Sequence, residues 1–119
     1  MAATTPAKMM RRYNMIRRRF FLEPGGNRVP MAKDISWVWA AEGADILGAT
    51  VFDEDSSPHE LHLNSILLRA GFEWERDRVL AHEMTHMRLG PGRSCSAKKH
   101  APHWLSEQLR LSRLGFRWL

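Results

Sequence analysis

Cysteine is almost absent from this chain: Cys95 is the only one in 119 residues. That excludes an intramolecular disulfide and a cysteine-rich structural zinc site. A lone thiol suits a reducing compartment, and Cys95 reads as a loop thiol without a role of its own. Long apolar runs are missing as well. No stretch approaches the ~20 residues of a membrane span, and the arginine-rich start lacks the apolar core of a secretory signal. The expectation is a soluble, cytoplasmic protein. The sequence has no internal repeat and no low-complexity segment. At this length it should form one small domain over residues 1–119, with a modest core and little room for an accessory module.

Acidic residues are scarce at both ends. Residues 1–23 carry six Lys/Arg against one acid, residues 24–92 six against eleven, and residues 93–119 six against one, for net charges of +5, −5 and +5. In the first segment Met9, Tyr13, Ile16 and Phe20 recur at helical spacing, with Arg11, Arg12, Arg18 and Arg19 mostly off that stripe. One reading is an amphipathic helix that packs on a sheet and solvates its basic face. The other is a phosphate-binding face giving sequence-independent DNA binding through the basic N- and C-terminal segments. Lys98 and Lys99 put further positive charge just before His100.

His82-Glu83-Met84-Thr85-His86 carries the chemistry. Residues four apart on a helix lie one above the other, so His82 and His86 can offer imidazole nitrogens to one zinc ion. Glu83, one step round, can serve as general base toward a zinc-bound water, which is the machinery of metal-assisted amide hydrolysis. The context favours a helix over about 73–89. Glu73, Glu75 and Asp77 suit its N-terminal dipole, Leu80, Met84 and Met87 form an apolar stripe, and Gly90-Pro91 ends it. His59-Glu60-Leu61-His62, spaced i, i+3 after Pro58, reads instead as a polar strand face.

A catalytic zinc normally has three protein ligands. The metzincin continuation is excluded, because Leu89 and Gly92 stand where its glycine and third histidine belong. His100, His103 and Glu107 remain as nearby candidates. Val79 to Met87, followed after a loop by His100-Ala101-Pro102-His103-Trp104, resembles the SprT-like metallopeptidases, which include the Spartan proteases. Their pattern is HExxH, a variable loop and a His-Gly-Pro-x-aromatic run whose first His is the third ligand. Ala101 replaces the usual Gly. Ile35-Ser36-Trp37, Leu47-Gly48-Ala49-Thr50 and Leu61-His62-Leu63-Asn64 are similar to the family's strand segments in the same order, so the likeness covers roughly residues 8–115. The resemblance implies a zinc metallopeptidase with Zn2+ on His82, His86 and His100, Glu83 as general base, and a protein or peptide substrate that includes DNA-associated proteins. The chain has no C-x-x-C, the mark of the zinc ribbon that many of these proteins carry at the C-terminus.

The expected architecture is a small α+β, zincin-like domain with a sheet of about three strands. A helix is expected over about 7–21 and strands over 35–40, 46–52 and 60–63. A short helix capped by Asn64 should reach Ala70, followed by the motif helix, a loop over 90–99 and a final helix between Pro102 and Gly115. The five tryptophans, at 37, 39, 74, 104 and 118, read as core or groove-wall residues. His103, Arg93 and Tyr13 are candidates for the group that stabilises a tetrahedral oxyanion. The alternative function is a nucleic-acid-binding or assembly module with a zinc site and weak or no peptidase activity; Glu83 argues against it, since a purely structural site needs no carboxylate beside an open position.

Overall fold

In the computed structural model, which describes residues 3–91 and 97–116 and side chains from His103 onward in the second stretch, Thr5 starts the first helix. Its hydroxyl accepts from Lys8 N at 3.2 Å, and Pro6, whose missing N–H costs nothing at this position, opens α1 (Pro6–Phe20). Met9, Tyr13, Ile16 and Phe20 are all buried, as their spacing predicts. Two of the arginines on this helix are engaged by other parts of the protein. Arg12 grips Asp77 with Nε 2.7 Å from one carboxylate oxygen, and Arg17 donates to the Val29 carbonyl at 2.7 Å. Arg11, Arg18 and Arg19 remain on the exposed face.

Three strands form a mixed sheet: β1 (Ser36–Ala40), β2 (Gly48–Phe52) and β3 (Pro58–Asn64), in the order β1-β3-β2. β1 runs parallel to β3 and β2 antiparallel to it, with Thr50 opposite Leu61 and Gly48 opposite Leu63. Side chains alternate across the sheet, so Leu61 and Leu63 enter the core while Glu60 and His62 face the other way. Expected and observed strand ends differ at both ends of the β2–β3 hairpin. β3 is longer at each end, and β2 starts at Gly48 rather than Ile46. Asn64 explains the late start: its side chain donates to the Ile46 carbonyl at 2.9 Å and its main-chain N–H to the Leu47 carbonyl at 2.9 Å, which takes these groups out of the regular ladder. The Asn64 side chain also accepts from Ile66 N at 2.9 Å, capping a 3-10 turn over Ser65–Leu68 instead of an α-helix reaching Ala70. The buried Arg76 donates to the Leu67 and Arg69 carbonyls that this turn leaves open.

α2 (Glu73–Leu89) has the expected bounds. It has acids in its first turn and ends at Gly90, whose φ of 91° is easy for glycine alone. Leu80, Met84 and Met87 are fully buried. α3 (Ala97–Arg113) begins before Pro102, because Ala97, Lys98 and Lys99 are all good helix formers; the loop expected over 90–99 is shorter accordingly. Past its end Phe116 folds back edge-on to Phe20, with ring centroids 5.2 Å apart.

The ends of α2 and α3 are tied together by buried charge. Glu107 lies 2.6 Å from Arg88 and 3.2 Å from Arg110. Arg88 also donates to the carbonyls of Glu23 (2.6 Å) and Pro24 (3.1 Å), and Arg110 to that of Phe20 (2.5 Å). The turn after α1 passes so close over Arg88 that a Cβ on Gly26 would stand 2.6 Å from its Cγ. The described residues thus form an α+β domain of three α-helices and a three-stranded mixed sheet. None of their helices is long and apolar enough to cross a membrane.

Candidate metal centre

α2 presents His82 and His86 one turn apart on a half-buried face, with ring centroids 4.9 Å apart. Trp104, from α3, packs on both imidazoles at 4.9 Å from each. It is thus a wall of the histidine pair as well as a core residue. Glu83, only 3% exposed, turns about a quarter of a circle away, toward β2, where its carboxyl accepts from the Thr50 hydroxyl at 2.9 Å.

A cavity of about 580 Å³ opens beside these residues, between β2, α2 and α3. His82 and Glu83 stand on its wall with Leu47, Val79 and Trp104, while Asp45, Glu75 and Arg78 line it as well. The apolar surroundings change the titration of both neighbours. Burial pushes the Glu83 carboxyl up to about 7, against a smaller downward pull from the Thr50 hydrogen bond. Burial, then the adjacent His86 and the positive Arg78, hold His82 down to about 4. At neutral pH His82 is therefore an uncharged imidazole with a lone pair free for a cation, which is the form a metal ligand must take. Two imidazoles one turn apart, with a carboxylate beside them at the edge of a cavity, fit zinc by the chemistry of the donors.

The third ligand expected at His100 has its side chain outside the described residues, and so does Arg93. Among the described residues no three His, Cys, Asp or Glu side chains are grouped so that they could hold a metal ion. His103 is exposed on α3. Glu107, the thermolysin-like alternative, is held in the clamp between Arg88 and Arg110. Tyr13 is not an oxyanion donor: it is fully buried, its ring edge-on to Trp37 and its hydroxyl donating to the Pro30 carbonyl at 2.8 Å. His59 and His62 fall on opposite faces of β3, and His62 pairs with Glu60 at 2.8 Å, so that run behaves as the polar strand face it resembles.

Thr50 and Gly48 escaped the sequence reading as members of the site. A glycine inside a strand is a known sign of close approach by another group, whereas a threonine in a strand is too ordinary to stand out. No protein-family model, curated protein or solved structure matches the chain.

Proposed function

We propose that this chain is a zinc metallopeptidase of the SprT-like type, with a zincin-like domain in which His82, His86 and His100 hold the metal and Glu83 is the general base. The observation that carries the reading is Glu83: a glutamate only 3% exposed, between a pair of imidazoles one helical turn apart, on the wall of a cavity large enough for a side chain of a substrate. A carboxyl buried at that cost, with no cationic partner for it among the described residues, is poor design for stability and good design for proton transfer near neutral pH. Zinc, when bound, would supply Lewis acidity, acidifying a water molecule and polarising the scissile carbonyl. Glu83 would take the proton from that water and return it to the leaving amine. Leu47, Val79 and Trp104 give the cavity an apolar wall beside the reacting groups, and β2, an edge strand, can accept an extended peptide by strand addition.

Two measurements test this. Metal analysis of protein purified without added zinc should find close to one zinc per chain, and Glu83→Gln should keep that zinc while hydrolysis of an unstructured protein falls by at least ~10²-fold. The second reading, a nucleic-acid-binding or assembly module, is supported by the exposed Arg11, Arg18 and Arg19 on α1. It takes over if the zinc-loaded wild type cuts nothing, with or without DNA, and Glu83→Gln leaves the biological activity intact.

A further inference from the structure

Both oxygens of the Glu83 carboxyl meet β2. Oε1 receives the Thr50 hydroxyl at 2.9 Å. That hydroxyl has one proton to give, and both acceptors found beside it belong to Glu83: Oε1, and the main-chain carbonyl at the longer distance of 3.5 Å. Oε2 lies against Gly48, two residues earlier on the same face of the strand. A Cβ built on Gly48 would stand 3.2 Å from Oε2, 3.3 Å from Glu83 Cγ and 2.8 Å from Val79 Cγ1. Val79 is β-branched and stiff about χ1, so it cannot easily yield. One oxygen is thus held by a bond and the other fits into a space that any larger residue would fill. The strand making both contacts is fixed by its ladder to β3 and by Asn64 just before its first residue.

We infer that Thr50 is a positioning residue for the Glu83 carboxylate, aiming it at the reacting atoms, and that Gly48 is glycine to leave room for the second oxygen. This rests on the metallopeptidase reading for its consequence in catalysis, but not for the contact itself. The last torsion of a glutamate is broad and nearly two-fold, so burial alone does not choose its angle. A hydrogen bond from a rigid strand does.

Thr50→Val, which keeps the shape and removes the hydroxyl, and Thr50→Ser, which keeps the hydroxyl, separate aim from packing. In the zinc-loaded protein Thr50→Val should lower kcat about tenfold with KM and zinc content within about twofold of wild type, Thr50→Ser should restore most of the rate, and Thr50→Val should add nothing in a Glu83→Gln background. A rise in KM at unchanged kcat would overturn the inference, since Thr50 would then touch substrate. The zinc-free protein gives a readout that needs no activity: the carboxyl 13C resonance of Glu83, identified by its loss in Glu83→Gln, should move in Thr50→Val and stay near its wild-type position in Thr50→Ser. An unmoved resonance in Thr50→Val overturns the inference even if the protein is an active peptidase. A moved resonance in a protein that cuts nothing supports the brace and sinks the peptidase reading alone.

Discussion

Burial drives His82 and Glu83 toward the same uncharged state from opposite directions, and the effect on stability can be worked out for each. In the zinc-free protein the folded Glu83 carboxyl titrates at about 7 against an ordinary 4.5, so between those values the folded state holds a proton the unfolded chain has lost. Stability from this group therefore falls as pH rises from about 4.5 to 7. His82 titrates at about 4 against 6.5, so its contribution rises with pH across about 4 to 6.5. The two slopes oppose each other over most of the window. Replacing Glu83 by Gln removes only the falling one, so the Tm of zinc-free Glu83→Gln minus that of wild type should grow from pH 4.5 to 7 and then level off, by an amount worth up to about 3 kcal/mol. A difference that stays flat with pH would mean that Glu83 ionises in the fold as freely as in the unfolded chain. The proposed ligands are separable by metal content at a single pH. His82→Ala, His86→Ala and His100→Ala should each strip most of the zinc, and His103→Ala should strip much less; the reverse result at positions 100 and 103 would shift the third ligand by three residues along α3.

At the scale of elements, the bounds of α2 could be read from the sequence because each end has its own local signal: acids at the start, Gly90 at the finish. The stripe of α1 was equally legible, since a 3.6-residue period needs no knowledge of the partner surface. What could not be read was everything fixed by contact between distant segments. Glu107 was a reasonable ligand candidate by type and distance from the motif, yet the fold spends it between Arg88 and Arg110. Arg17 is one of the six basic residues of the N-terminal segment, and it is bonded to the Val29 carbonyl. The order β1-β3-β2, and with it the meeting of Thr50 and Glu83, depends on pairing that a single strand's pattern does not encode. The clamp makes its own prediction. Removing one member of a buried, paired set leaves the others uncompensated, so Glu107→Ala should cost about 3–5 kcal/mol of stability by denaturant titration. Zinc bound per folded molecule should stay close to wild type, also in the gentler Glu107→Gln. If zinc is lost from a Glu107→Gln protein that is otherwise folded, Glu107 is a ligand and the clamp is a metal-free arrangement.

At the scale of the whole molecule, the segregation of charge along the sequence does not survive intact in space. Of the N-terminal cations, Arg12 is matched by Asp77 and Arg17 is turned inward to a carbonyl. Of the C-terminal ones, Arg110 lies 3.2 Å from Glu107 and is itself only 8% exposed, which leaves Arg113 as the exposed arginine among the described side chains of α3. A net charge of +5 therefore overstates the cation available to a phosphate backbone. If DNA binds, the cationic face that the described residues offer is the outer side of α1 with Arg11, Arg18 and Arg19, opposite the stripe buried on the core. Each phosphate neutralised contributes about 0.9 to the logarithmic salt slope on duplex DNA. Changing these three arginines together to Gln should then flatten the slope by about three units at most, while zinc content and peptide hydrolysis stay at wild-type values. Arg17 is left out of that set because its loss would unseat Val29 and mimic weak binding through poor folding. Fluorescence titration at about 50 mM salt and above reads the slope directly. An unchanged slope in the triple variant would place the contacts elsewhere, and no association of the wild type even at the lowest salt would make the α1 arginines a solvated helix face, leaving the proposed metal site to account for the function alone.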